Sequence, residues 1–207
     1  MGTAMPKQFL DLCGKPVLAH SVMAFTQTFP DINIILVLPQ DMLSYAQIIL
    51  KALPDPIDIT LVAGGETRFH SVQNGLNAIE DEGIVFVHDG ARPIINNALL
   101  QRCYNQAVEK GSAIPAIPVA ESMRILDGET SKPVNRDHMR VIQTPQTFRV
   151  SVILPAFTQA YSPAFTDEAT VVEAHGTAVY LCDGDKRNIK VTTPEDMVIA
   201  EAYLKAV

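Results

Sequence analysis

Four short stretches carry residue types able to do chemistry. His88-Asp89-Gly90-Ala91-Arg92-Pro93 follows the apolar run Ile84 to Val87. A carboxylate at a strand end can hold a divalent metal or a sugar hydroxyl, and a nearby arginine can fork onto a phosphate. The plain alternative is an Asp–Arg pair that braces a loop. Gly64-Gly65-Glu66-Thr67-Arg68 follows the run Ile59 to Ala63. Its glycines let backbone approach a ligand closely, and the helix start behind them offers free N–H groups. Such a pair is also an ordinary turn. Lys7, after Pro6, reads either as a phosphate clamp or as a solvated lysine. Lys190 sits between Ile189 and Val191, as a snorkelling stem or as a cation aimed at a crevice. His88 has no second His or Cys at ligand spacing and reads as structural. Lys7, Arg92 and Lys190 thus bring cations to separate strand ends of a chain whose net charge is −7. That combination points to a small polyanion and not to a polymer.

The elements that must position these groups alternate. Pro16 stands as a first helical residue, with Val17, His20, Ser21, Ala24 and Phe25 at helical spacing. Ile32 to Leu38 is a strand, and its unbroken apolar character predicts a parallel sheet covered on both faces. Asp41 to Leu53 is helical, ended by Pro54-Asp55-Pro56. Ile59 to Ala63 is a strand, Phe69, Val72, Leu76 and Ile79 mark a helix face, and Ile84 to Val87 is a strand. Asn97 to Lys110 is a helix with an Asn start and Gly111 as its stop. After the strand Ala113 to Val119 the rhythm changes. Glu121 to Gln143 has no helical period and holds an Asp127-Gly128 turn between Met123–Leu126 and Met139–Ile142, which predicts a β-arm leaving the sheet. Ser151 to Ala160 is a helix. Thr166-Asp167-Glu168 opens another with a hydroxyl cap, and Gly176 closes it. Ala178 to Cys182 is a strand, and Thr193-Pro194-Glu195-Asp196 starts the last helix. The fold class expected is α/β, a Rossmann-like, mostly parallel sheet flanked by helices. In such a sheet ligands bind at the carboxyl ends of the strands.

Composition narrows the classes. With 207 residues the chain fits one domain, 1–207, better than two. At 47% hydrophobic and 19% charged residues it is globular and not disordered. The acidic balance and the absence of a Lys/Arg run exclude an electrostatic footprint for nucleic acid. No apolar stretch reaches the roughly 18 residues of a membrane span, and no hydrophobic leader region is visible. Cys13, Cys103 and Cys182 are odd in number and form no CxxC pair, which suits a reducing cytoplasm.

Six motifs in register then carry a resemblance. Pro6-Lys7-Gln8-Phe9-Leu10, Gly64–Arg68 with Ser71-Val72, His88–Pro93, Thr144-Pro145-Gln146, Thr166–Ala169 and Asn188-Ile189-Lys190-Val191-Thr192 occur in this order. Together, over essentially the whole chain, they resemble the 2-C-methyl-D-erythritol 4-phosphate cytidylyltransferases. The resemblance implies transfer of CMP from CTP to methylerythritol phosphate, with release of pyrophosphate, in non-mevalonate isoprenoid synthesis. It implies Mg²⁺ bound mainly through the CTP phosphates, with no metal ligands from the chain. It also implies a cytoplasmic homodimer clasped by the β-arm, about 120–143. By position, Lys7 matches the lysine that stabilises the α-phosphate. Gly65, Glu66 and Ser71 match positions that hold cytosine and ribose, and Gly90 and Lys190 join the nucleotide set. Asp89, Arg92 and Thr166 match acceptor-pocket positions, and Ser122 stands where the family often has Thr. Arg136 matches the arm arginine that reaches the acceptor phosphate in the partner subunit, with Thr144 near that phosphate. Lys190 matches the lysine that positions the attacking group.

The family begins with a strand and a Gly-rich loop bearing a catalytic arginine, and Met1-Gly2 aligns with the end of that loop. The expectation is therefore that the sequence is incomplete at its amino end. Rival readings are a ribitol-5-phosphate cytidylyltransferase, a nucleotide-sugar pyrophosphorylase and, should the Gly-rich loop be truly absent, a non-catalytic CTP-binding relative.

Overall fold

A computed structural model describes residues 6–53 and 57–206. The element order is β1 (Asp11–Leu12), β2 (Lys15–Pro16), α1 (Val17–Thr28), β3 (Ile34–Leu38), a 3₁₀ turn (Gln40–Tyr45), α2 (Ala46–Ala52), β4 (Ile59–Ala63), α3 (Arg68–Leu76), β5 (Ile84–Val87) and α4 (Asn97–Lys110). There follow β6 (Ser112–Pro118), β7 (Met123–Asp127), β8 (Thr130–Val134), β9 (Arg140–Ile142), β10 (Gln146–Arg149), α5 (Val150–Ala156), α6 (Glu168–Ala174), β11 (Leu181–Asp183) and α7 (Pro194–Lys205). Pro54-Asp55-Pro56, read as a helix stop, lies outside the described residues.

Period two along β5 sorts the helices onto two faces. Ile84 and Phe86 pack with Phe25 of α1 and Leu99, Leu100 and Cys103 of α4. Val85 and Val87 pack with Phe69 and Leu76 of α3, Phe148 of β10, Ile153 of α5 and Val172 of α6. The helix ends follow local chemistry. The Asn96 side chain accepts the Leu99 N–H at the start of α4, and Gly111 (φ 88°) takes the left-handed stop. Thr193 caps α7, with Pro194 at its first position.

The sheet departs from the expected parallel order at two strands. β5, β6 and β11 run the same way, but β10 lies antiparallel between β5 and β6, and β9 is antiparallel to β6. Other differences are smaller. Pro16 ends β2 and is not helical, and Asp41 to Tyr45 is a 3₁₀ turn before α2. The cap of α6 is the Asp167 carboxylate and not a hydroxyl, because Asp167 accepts the Thr170 N–H. The Asp127-Gly128 turn joins β7 to β8 (Thr130–Val134), so Met139–Ile142 is not its partner and β9 pairs with the sheet instead. The β7–β8 hairpin pairs with no other strand among the described residues.

β3 pairs with β4 in parallel, and among the described residues no ladder joins this pair to the larger sheet. The facing edges of β3 and β5 line an elongated cavity of about 1090 Å³. Among the described residues, the backbone N–H groups along these edges have no strand partner. The alternate amides of β3 and β5 that point away from β4 and β10 are expected to exchange hydrogen at least about 100-fold faster than the amides paired between β6 and β10. Residue-resolved hydrogen exchange on the full chain measures this. Equal protection would mean that the cleft is closed.

Candidate active site

The register of β10 against β5 builds the centre of the site. Gln146 pairs with Val87, so continuing the ladder sets Thr144 opposite Asp89. The Asp89 N–H donates to Thr144 Oγ1 at 3.0 Å. Thr144 Oγ1 also lies 3.2 Å from His88 Nδ1, and His88 Nε2 lies 3.1 Å from the Arg92 carbonyl oxygen. A carbonyl only accepts, so the imidazole proton sits on Nε2 and Nδ1 accepts from the threonine hydroxyl. His88 is therefore a neutral brace for the strand-end turn, as its isolation in the sequence implies.

Asp89 gathers cations from three directions. Lys190 Nζ lies 2.9 Å from Oδ2, Arg92 Nε 3.6 Å from Oδ2, and Arg68 Nη2 3.4 Å from Oδ1. Burial pushes the Asp89 carboxyl up, but the Lys190 hydrogen bond and the charges of Arg68, Lys190 and Arg92 outweigh it and hold the group below its ordinary value. Arg68 also forks onto Glu168, Nη1 to Oε1 at 2.5 Å and Nη2 to Oε2 at 3.0 Å. The Glu168 side chain has no exposed surface. Burial raises its carboxyl and Arg68 pulls it back.

A second polar layer fixes the loop that carries Lys190. Gln143 Nε2 donates to the carbonyls of Asp185 and Asn188, and Gln143 Oε1 accepts the Asp185 N–H. Asn188 Nδ2 donates to the Thr144 carbonyl, and Arg92 Nη1 donates to the Asn188 carbonyl at 2.8 Å.

The positions expected from the sequence divide into two groups. Lys7, Ser71, Asp89, Gly90 and Lys190 line the large cavity, with Arg68 and His88. Arg92 and Thr144 stand directly behind them. Gly65 and Ser71 also line a smaller adjoining hollow of about 230 Å³, where Ser71 Oγ accepts the Gly65 N–H. A side chain at Gly65 would come within 2.4 Å of His70 Cβ, so the close packing here requires glycine. Glu66 is exposed beside it. Ser122 and Arg136 lie on the exposed segment around the β7–β8 hairpin, where Arg136 Nη1 donates to the Ala120 carbonyl, and they do not reach the Asp89 cluster. Thr166 is exposed ahead of α6. Sequence reasoning places Arg68 and Glu168 inside motifs without giving either a role. Their separation of 100 residues hides the pair.

An α/β sheet that gathers lysine and arginine around one carboxylate at its strand ends is the architecture of a protein that handles phosphorylated small molecules. The family model described as 2-C-methyl-D-erythritol 4-phosphate cytidylyltransferase matches residues 1–206, and the chain belongs to that family. A relative of that name from Bacteroides thetaiotaomicron is 42% identical over 204 residues, 99% of this chain and 93% of the relative. One from Phocaeicola vulgatus is 43% identical over 204 residues with the same coverage. The crystal structure of the Thermus thermophilus enzyme of that name superposes with a TM-score of 0.77 at 30% identity, covering 98% of this chain and 96% of that one. The 4-diphosphocytidyl-2C-methyl-D-erythritol synthase structure from Anaerococcus prevotii gives 0.83 at 28% identity, covering 96% and 93%.

Burial lowers the His88 imidazole to about 4, from an ordinary value near 6.5. Its neutral form is favoured only in the folded state, so its contribution to stability is complete above pH 6.5 and is lost as pH falls toward 4. Denaturant titrations across that window are expected to show stability falling by up to about 1.4 kcal/mol per pH unit. The slope is expected to flatten in His88→Asn. Asp89 adds a second loss as pH falls below about 4, where the carboxyl of the unfolded chain takes up a proton that the depressed native carboxyl still resists.

Proposed function

We propose that this chain transfers the cytidylyl group of CTP to the phosphate of 2-C-methyl-D-erythritol 4-phosphate and releases pyrophosphate. The observation that carries the reading is the convergence of Lys190, Arg92 and Arg68 on Asp89, with Lys7 on the wall of the same cavity. Family membership supplies the nucleotide and the acceptor. An oxygen of the acceptor phosphate attacks the α-phosphorus of CTP, a P–O bond forms, and the bond to the departing pyrophosphate breaks. The attacking group is already an anion, so no strong base is needed, and the neutral His88 is consistent with that. What the reaction needs is two anions held in line with charge offset on the phosphoryl oxygens. Lys7 serves the α-phosphate, Lys190 and Arg92 the acceptor phosphate, and Thr144 orders the turn beneath them. Gly65, Glu66, Ser71 and Gly90 shape the nucleotide side. Thr166 and Ser122 belong to the acceptor side.

The described residues hold no group of three or more His, Cys, Asp or Glu able to cage a metal. Both Asp89 oxygens are engaged by cations. A divalent ion such as Mg²⁺, carried mainly by the nucleotide phosphates, would offset their charge. The β7–β8 hairpin exposes Ile125 (63%) and Leu126 (81%), which supports its use as an arm against a second copy, with Arg136 delivered to the partner's acceptor. No helix among the described residues is long and apolar enough to cross a membrane. Cysteines held as thiols support a cytoplasmic setting.

Pyrophosphate release with CTP and Mg²⁺ tests the reading, run with methylerythritol 4-phosphate and, in parallel, ribitol 5-phosphate. Release with the first acceptor alone is expected, and release only with the second would replace the acceptor assigned here. Lys7→Ala and Lys190→Ala are each expected to lower kcat by about 10²–10³ with little change in Tm. Light scattering is expected to give twice the 22.6 kDa of the chain, and Leu126→Asp to shift it toward the monomer.

A further inference from the structure

We propose that Arg68 is a further phosphate-binding residue of this site and that the buried Glu168 is its positioning residue. The proposal rests on the phosphoryl-transfer reading above and extends it: there Arg68 is only a partner of Asp89, and Glu168 has no role. Arg68 opens α3 directly behind the Gly64-Gly65 turn, and its side chain is 40% exposed on the wall of the large cavity. Three of its N–H groups are engaged, two by Glu168 and one by Asp89 at the longer distance of 3.4 Å. A guanidinium carries five, so two remain for a ligand. The planar fork suits phosphate oxygens better than a lysine would.

The partner explains the arrangement. Glu168 is wholly buried, and Gln146, itself 1% exposed, fixes the turn that carries it: Gln146 Oε1 accepts the Ala169 N–H and its Nε2 donates to Asp167 Oδ2. A carboxylate so placed cannot follow a moving arginine. The paired bonds at 2.5 and 3.0 Å therefore aim the guanidinium and hold its contact with Asp89 to the longer 3.4 Å. Lys190, with its single close contact to Asp89, is the more mobile cation. Arg68 is the fixed one.

Charge and positioning predict opposite signs for one substitution. Glu168→Gln removes a negative charge beside the cavity, so charge alone would tighten anion binding. Loss of aim would weaken it. Calorimetry with inorganic pyrophosphate, and separately with a polyol phosphate monoester, is to be run on the full chain and on Arg68→Gln, Arg68→Lys, Glu168→Gln and the Arg68→Gln/Glu168→Gln double variant. Arg68→Gln is expected to raise the Kd of one of these anions by about 10- to 100-fold, and the anion affected identifies the subsite. Glu168→Gln is expected to raise the same Kd by about five- to tenfold, and the double variant to bind no more weakly than Arg68→Gln. Arg68→Lys is expected to recover only part of the loss. Unchanged binding in Arg68→Gln, or tighter binding in Glu168→Gln, overturns the proposal. Thermal melts accompany each variant. If Glu168→Gln does not fold, the two Arg68 variants still decide whether the arginine binds phosphate. A wild-type chain that turns over CTP while Arg68→Gln binds like wild type sinks this inference alone. A chain that binds pyrophosphate through Arg68 but never releases it from CTP sinks the reading of the reaction instead.

Discussion

The loop entering β10, residues 143–146, holds the site together. Gln143 pins the turn before Lys190, Thr144 joins His88 to the Asp89 backbone, and Gln146 ties down the start of α6 beside Glu168. All three side chains are buried, at 3%, 5% and 1% exposure. A buried amide or hydroxyl left unpaired costs about 1–3 kcal/mol. Each bond in this row is thus enforced by the cost of breaking it, and the loops it touches cannot drift independently. Three chain segments far apart in sequence meet at one carboxylate because one short polar segment touches them all.

That segment works because β10 runs the wrong way for a doubly wound sheet. In a purely parallel sheet each strand end would feed its own loop toward the ligand, and no strand would begin there. β10 begins where β5 ends, so Thr144 and Gln143 enter the cluster from the strand side while His88 and Asp89 leave it. The antiparallel pairing gives the site a wall that a parallel strand could not supply. It also hands the neighbouring β6 an antiparallel partner on that side, while β11 keeps the parallel order on the other.

The repeating elements were legible because local rules decide them. Ile59–Ala63, Ile84–Val87 and Asn97–Lys110 have the bounds read from sequence, since apolar runs, caps and a stop glycine act over a few residues. β10 was not legible as antiparallel, because strand direction is set by connections and not by composition. The hairpin partner of β7 was missed for a related reason. Thr130–Val134 is polar and mostly exposed, and only the tight Asp127-Gly128 turn selects it over the more apolar Met139–Ile142. In the site, Lys7, Asp89, Gly90 and Lys190 stood out by charge or type at strand ends. Arg68 and Glu168 did not, because a buried ion pair between residues 100 apart leaves no local trace.

Exposure in the cluster rises from the inside outward. Glu168 has no exposed surface, the Arg92 and Asp89 side chains are 11% and 15% exposed, and Arg68 and Lys190 reach 40% and 44%. Three cations gathered around one carboxylate would repel one another and lose hydration. Two carboxylates beneath them offset that repulsion before any ligand arrives. The outer cations therefore need little reorganisation to meet a phosphate, since Lys190 exchanges one oxygen anion for another at nearly constant charge. An exposed pair of this kind is worth about 1 kcal/mol or less in water. A multiply charged phosphate has more to offer Lys190 than Asp89 does, so the same carboxylate that assembles the site does not hold it shut.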